Sequence, residues 1–135
     1  RKLSSNTVSL QFEDLFFQCI SGNRQSIINK SGKMIRSSAD AYSFLQTAKN
    51  FFKILISTSE KKQTKNIPDL VEHYLPKYLF RQKASFELAV KKASLSKIIT
   101  INNLIQKTEV YLRKNDSGFL IIIQRFLLNF SRIIK

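Results

Sequence analysis

The chain has 135 residues, 43% of them hydrophobic, and a formal net charge of +14 at pH 7. The apolar fraction, which includes eleven Phe, excludes a disordered chain and is enough to build the core of a single domain. Three Gly and two Pro leave little room for the many turns of a β-sandwich, so long helices are favoured. A charge of this size, spread along the whole chain, predicts an anionic partner.

The first half of the chain predicts two helices with a break between them. Apolar residues at helical spacing mark the first helix: Val8, Phe12, Leu15, Phe16, Cys19 and Ile20. The triplet at residues 21–23 should end that helix, and Gly32 predicts a second break. The next helix should begin at a Ser38 cap, with Asp40 in its first turn. Its apolar stripe continues over residues 41–56 and is followed by a polar loop.

The second half predicts shorter helices separated by prolines and a turn. Pro68 suits a first helical position, and Pro76 should restart the helix, whose pattern then runs over residues 77–93. Further helices are predicted at residues 98–112 and 119–135, joined by a turn at 115–118. No apolar run reaches about 18 residues, so no membrane-spanning helix is expected. The pattern as a whole predicts an all-α fold: a single basic domain over residues 1–135, an up-and-down bundle of about five helices.

Catalytic chemistry has little support in the sequence. His73 is the only histidine, and Cys19 lies on an apolar stripe, where we expect a buried, inert thiol. One His and one Cys cannot supply a zinc site. Glu13 and Asp14 are adjacent on a helix and therefore point to different faces, so they do not form an acid–base pair. The chain is predicted to be no enzyme, with no catalytic, metal-binding or cofactor-binding residue and no cofactor.

The basic helical faces are more informative. On the last helix, six polar residues cover an arc of about 160° at about 100° per residue, and two aliphatic residues fall inside it. A second face combines three cations with one leucine on the helix after Pro76. Cations around apolar side chains are typical of helices that dock on an anionic bilayer. The polar arc contains Gln124, Arg125, Asn129, Ser131, Arg132 and Lys135. The predicted membrane or partner surface comprises Lys77, Arg81, Leu88, Lys92, Ile121, Arg125, Leu128, Arg132 and Lys135.

Two alternatives remain open at this point. Ile121 and Leu128 could instead pack against a neighbouring helix or the partner of a homodimer. Nucleic-acid binding would also explain the net charge, through counterion release. Against it, sixteen Lys outnumber seven Arg, and no zinc finger, helix-turn-helix glycine or aromatic RNA-binding motif is visible. Burial of Ile121, Leu128 and Leu88 would favour an intracellular, ribosome- or nucleic-acid-associated protein, whereas their exposure would favour a membrane-binding one.

The opening region carries a family resemblance. The chain begins at Arg1, Phe12-Glu13 starts the first helix, and Gln18-Cys19-Ile20-Ser21-Gly22 follows, with Arg24 after it. In these residues, and in length and basicity, it resembles the abalone sperm lysin family. Envelope lysins of that family are rich in Trp, Tyr and Arg, whereas this chain has no Trp and many Phe and Ile, which is more similar to the fusagenic acrosomal branch.

The resemblance implies where and how the protein acts. It implies a secreted protein of the sperm acrosomal vesicle that perturbs an anionic membrane surface during sperm–egg fusion. The envelope-dissolving activity of the lysins, with an acidic egg-coat glycoprotein as partner, is a further alternative. The resemblance shifts the balance from nucleic acid towards the membrane.

Overall fold

The computed structural model describes the backbone of residues 2–135 and the side chains of residues 12–135. This part of the chain contains seven α-helices and no strand, so the all-α prediction is confirmed. Two short 3₁₀ helices lie at Lys77–Gln82 and Asp116–Gly118. Arg1 and the side chain of Val8 lie outside the described residues. The α-helices are α1 (Lys2–Ser21), α2 (Arg24–Met34), α3 (Ser38–Glu60), α4 (Ile67–Tyr74), α5 (Lys83–Lys92), α6 (Leu95–Lys114) and α7 (Phe119–Ile134).

The seven helices of the described chain replace the predicted count of about five because two short helices have caps of their own. The Asn23 side chain accepts a hydrogen bond from the backbone N–H of Ser26 at 2.8 Å, which starts α2. Asn66 does the same for the N–H of Asp69 at 3.0 Å and starts α4. Each cap satisfies an N–H that has no partner inside the helix. A capping asparagine therefore fixes the first turn of each short helix, and α2 and α4 form as helices of their own.

Helix α3 begins one residue earlier than predicted. Ser37, not Ser38, is its cap, with its Oγ accepting from the N–H of Asp40 at 3.1 Å. The carboxylate of Asp40 in turn accepts from the N–H of Arg36 at 2.9 Å, so the two side chains stabilise the helix start reciprocally. The helix also continues to Glu60, past the predicted end at residue 56.

Gly32 does not break α2, contrary to prediction. The helix passes through it and ends at Met34, where Ile35 becomes extended. Gly32 is exposed, and a Cβ built there meets no atom within 4 Å. Gly32→Ala should therefore raise the free energy of unfolding by about 0.5–1 kcal/mol, because alanine loses less backbone entropy on folding. Urea denaturation would measure this gain. Lys33→Ala, on the same exposed turn, is the control; a destabilised Gly32→Ala variant would contradict the helical backbone at residue 32.

A single cluster of buried apolar residues takes members from all seven helices. At its centre the Phe16 ring stacks on Phe44 and Phe51, with ring centroids 5.1 and 4.8 Å apart, and meets Phe130 edge-on at 5.9 Å. These contacts bring α1, α3 and α7 together. We call the connected rings the aromatic core: Phe12, Phe16, Phe17, Phe44, Phe51, Phe86, Phe126 and Phe130.

Helix α7 lies in an apolar segment, although no uninterrupted apolar run there reaches 18 residues. The segment Asp116–Ile134 is long and apolar enough, by length and composition alone, to cross a membrane. A core helix of a folded protein meets the same criteria, and α7 buries one face that includes Ile123, Leu127 and Phe130. Only 33% of this apolar segment is buried, so α7 has an inner face against the core and an outer face that is exposed.

Candidate functional site

The candidate catalytic residues lie apart from one another. Within residues 12–135, no group of three His, Cys, Asp or Glu side chains is placed to hold a metal ion. His73 is exposed on α4 and its ring meets that of Tyr74 edge-on at 4.8 Å. Cys19 is fully buried, as predicted, and its thiol donates to the carbonyl oxygen of Leu127 at 3.4 Å. Burial raises the pKa of Cys19 to about 12, so the thiol stays protonated at neutral pH, unlike a cysteine nucleophile.

Glu13 and Asp14 point to different surroundings, in agreement with their adjacent positions on α1. Glu13 is buried, and its Oε2 accepts from the Tyr78 hydroxyl at 2.6 Å. Its Oε1 is buried without a hydrogen-bond partner among the described residues. Burial raises the pKa of Glu13, and the Tyr78 hydrogen bond partly opposes that rise. Asp14 lies instead 3.9 Å from the ammonium of Lys30.

The raised pKa of Glu13 makes stability depend on pH. A folded-state pKa above the unfolded value means that the folded protein loses stability as the pH rises through that pKa. Glu13→Gln keeps an acceptor for Tyr78 but carries no charge. We therefore expect the variant to gain stability relative to the unsubstituted protein between pH 4 and pH 7, measured by urea denaturation at both values. Asp14→Asn should show no such gain, because it also removes the ion pair with Lys30; a pH-independent difference for Glu13→Gln would contradict the buried charge.

Part of the predicted polar arc on α7 faces the protein, not the solvent. Ser131 is buried, and its Oγ donates to the carbonyl oxygen of Cys19 at 2.8 Å. Gln124 is half-buried and donates to a carbonyl of α2 at 3.3 Å. The Lys135 ammonium donates to the carbonyl oxygen of Gly22 at 2.7 Å. The last carbonyls of a helix lack partners within it, and α7 supplies donors for those at the end of α1.

The remaining part of the arc converges with α2 on a concave surface that we call the basic pocket. Arg24, in the first turn of α2, brings a fourth cation to three from α7. Arg24 is a site residue that the helical wheel missed, since a wheel describes one helix and not its neighbours. All nine Asp and Glu side chains of the sequence lie in the described part, and none of them lines this pocket. The basic pocket is lined by Arg24, Ile27, Arg125, Leu128, Asn129, Ser131, Arg132 and Lys135.

A second concave surface, the outer groove, lies between α6 and α7. Ile121 is 62% exposed and Tyr111 is 59% exposed within it. Lys107, Lys114 and Arg125 add three cations, again with no carboxylate in the lining. Lys107, Tyr111 and Lys114 share one face of α6 at i, i+4 and i+7, a pattern that could have indicated them from sequence. The outer groove is lined by Leu104, Lys107, Thr108, Tyr111, Lys114, Asn115, Gly118, Ile121, Ile122, Arg125, Phe126 and Asn129.

The three aliphatic residues whose exposure distinguishes the membrane hypothesis from the nucleic-acid hypothesis differ in their exposure. Ile121 is well exposed and Leu88 is 38% exposed. Leu128 is half-buried and packs against the hydrophobic core, as in the alternative that places it against neighbouring helices. Two of the three residues meet the expectation of the membrane hypothesis.

The second predicted basic face, on the segment after Pro76, is divided between two helices. Residues 77–82 adopt a 3₁₀ helix, which turns by about 120° per residue instead of 100°. Lys77 and Arg81 therefore fall out of line with Leu88 and Lys92, which lie on α5. Pro76 immediately precedes the 3₁₀ segment and supplies no N–H to a helix that would continue from α4. The candidate site thus lies at α2, α6 and α7.

This sequence has no match among protein-family models, curated proteins or solved structures. The abalone sperm lysin resemblance therefore rests on the residues that carry it. In the fold, Phe12, Glu13 and Cys19 of α1 are buried, and Arg24 lines the basic pocket.

Proposed function

We propose that this protein is a non-enzymatic membrane-binding protein that docks on anionic bilayers through the outer face of α7 and the adjoining face of α6. The observation that carries the proposal is the exposure of Ile121 within a concave surface that holds three cations and no carboxylate. At a bilayer interface the aliphatic side chain leaves water while the cations meet lipid head groups.

The charges on this face set the expected strength of docking. Six cations line the basic pocket and the outer groove together: Arg24, Lys107, Lys114, Arg125, Arg132 and Lys135. Each contributes about 1 kcal/mol near an anionic leaflet, so their sum corresponds to a dissociation constant of roughly 10–100 μM. Because these charges are near the surface, the affinity should fall as salt is added.

The biological setting that we propose is sperm–egg fusion. In this setting the protein is secreted from the acrosomal vesicle as a single basic domain and disturbs the apposed membranes. The support is the resemblance of Phe12-Glu13 and residues 18–22 to the abalone sperm lysin family, together with the basic surface. Envelope dissolution, with an acidic egg-coat glycoprotein as partner, is the alternative within that family. Measuring the loss of envelope structure beside the loss of liposome integrity separates the two.

Nucleic-acid binding is the second candidate function. The basic pocket favours it, because Leu128 is half-buried there and four cations surround the pocket. It gives no role to the exposed Ile121 and Tyr111 of the outer groove. A filter-binding titration with RNA at 50 and 200 mM salt would test it: affinity that exceeds the affinity for anionic vesicles would favour this candidate over the membrane.

Ile121→Ser tests the membrane proposal directly. Leakage and lipid mixing of phosphatidylserine-containing vesicles should fall on the order of tenfold, since an isoleucine that enters the interface contributes a part of the 1.5–3 kcal/mol of its full burial. The free energy of unfolding should change by less than about 0.5 kcal/mol, because the side chain is exposed. Ile99→Ser is the matched control: Ile99 is 53% exposed on α6 and lines neither the pocket nor the groove.

Three results would overturn this proposal. The first is no binding of the unsubstituted protein to anionic vesicles at low salt. The second is an equal loss of leakage in Ile121→Ser and Ile99→Ser. The third is a dimer, seen by sedimentation velocity, that Ile121→Ser dissociates, because a second copy of the chain would then cover this face.

A further inference from the structure

The basic pocket and the outer groove adjoin on α7. Arg125 and Asn129, one helical turn apart, line both of them. One of the two surfaces concentrates positive charge, and the other exposes aliphatic and aromatic side chains beside cations. A ligand that spans them must carry an anionic group and an apolar chain that are joined by a short connection.

The basic pocket contains cations without counter-charges. Arg24 and Arg125 make no hydrogen bond or ion pair within the described residues. Arg132 donates to the side-chain oxygen of Asn129 at 2.7 Å, and Lys135 donates to the carbonyl of Gly22 at 2.7 Å. Guanidinium groups present a planar set of donors that matches the oxygens of a phosphate. Three arginines from two helices therefore offer a phosphate group more donors than the protein itself uses.

The outer groove supplies apolar contact along α7. Ile121 and Tyr111 expose more than half of their surface there, and the half-buried Ile122 and Leu104 also line the groove. The distance along α7 from Ile121 to Arg132 is about 16 Å at 1.5 Å per residue, which suits an extended acyl chain that runs from a phosphate in the pocket.

We propose that the basic pocket and the outer groove together bind one anionic phospholipid. Its phosphate lies among Arg24, Arg125 and Arg132, and one acyl chain lies along Ile121. This inference rests on the proposed membrane function and names the lipid that the surface selects. A soluble phosphate ester makes no use of the groove, and phosphatidylcholine brings a cation that the pocket repels.

Soluble short-chain lipids test the inference. Dihexanoyl phosphatidic acid, below its micelle concentration, should bind at one saturable site in a calorimetric or NMR titration. We expect it to bind at least tenfold more tightly than glycerol 3-phosphate, because burying two methylene groups already accounts for about tenfold. Dihexanoyl phosphatidylcholine should bind more weakly than the phosphatidic acid.

Charge-matched variants locate the site. Arg24→Gln with Arg132→Gln should weaken binding of the short-chain phosphatidic acid by up to about 25-fold, because each ion pair near the surface contributes up to about 1 kcal/mol, or about fivefold. Arg36→Gln with Arg113→Gln removes the same two charges from positions that line neither surface, and should change binding by less than about twofold. Ile121→Ser should weaken binding of the lipid but leave glycerol 3-phosphate unaffected. Thermal melts of all variants check that each is folded.

The outcomes separate this inference from the membrane function on which it rests. Equal affinity for the lipid and glycerol 3-phosphate would identify a site for soluble phosphate esters and overturn the proposal that the site binds a phospholipid. Equal losses in the two double variants would mean that charge acts diffusely, without a site. Vesicle leakage without saturable binding of the short-chain lipid would overturn the inference alone. Saturable binding without leakage would overturn the membrane-perturbing function and support the lipid site.

Discussion

Phe16→Ala should lower the free energy of unfolding by about 3–5 kcal/mol. Phe16 is 1% exposed, and its ring contacts those of Phe44, Phe51 and Phe130 on two other helices. Its removal leaves a cavity where α1, α3 and α7 meet and also abolishes three ring–ring contacts. A small domain has only about 5–15 kcal/mol of stability, so the loss should be visible as a large shift of the urea midpoint.

Phe119→Ala is the matched control for the aromatic core. It removes the same atoms from a half-buried side chain at the start of α7, outside the eight connected rings. Its cost should be clearly smaller, since a partly exposed site loses less contact and leaves no enclosed cavity. Equal costs for the two substitutions would show that the rings around Phe16 do not determine the stability of this fold.

Lys62→Met should lower the free energy of unfolding by about 2–4 kcal/mol. The Lys62 ammonium donates to the carbonyl oxygen of Val90 at 3.0 Å and to that of Ala93, at the C-terminal end of α5. Hydrogen bonds to charged groups contribute about 1.5–3 kcal/mol, and a cation at a helix C-terminus adds about 0.3–1 kcal/mol. Methionine keeps the length and apolar contacts of the side chain but donates no hydrogen bond. Urea denaturation at neutral pH measures the loss.

Lys61→Met provides the comparison for Lys62. Lys61 is exposed and its side chain takes no part in capping α5, so removing its charge should change the unfolding free energy by less than about 0.5 kcal/mol. If the two variants melted alike, the contribution of Lys62 would be its net charge and not its position at the helix end.

The helices with strong apolar periodicity could be predicted from sequence, and the weakly periodic ones could not. The stripe of α3 places its buried residues at i, i+3 and i+4 with few exceptions, so the sequence alone identifies it as a helix with one buried face. The break predicted at Gly32 is wrong because helix propensity is a weak preference that tertiary contacts override. Gln124 of α7 donates to α2 at Ile28 and Ser31, and these contacts help to hold α2 in place.

The candidate site shows the same division. A helical wheel was enough to find Ile121, Arg125 and Arg132, because all three lie on one helix. It wrongly added Ser131 to the solvent face, since a wheel does not show which neighbour covers each side of the helix. It missed Arg24 because the approach of α2 to α7 depends on tertiary packing, which no local pattern encodes.

The bond between Ser131 and Cys19 bears on how the chain folds. It joins residues separated by 112 positions, so it closes a loop whose entropic cost is about 4 kcal/mol plus a constant. During synthesis α1 is made long before α7, and the last turn of α1 cannot receive this donor until residue 131 has been made. Until then only the part of α1 that faces α7, such as the edge of Phe16 that meets Phe130, lacks its cover in the nascent chain. We therefore expect the docking of α7 on α1 to be a late step when the chain folds during synthesis.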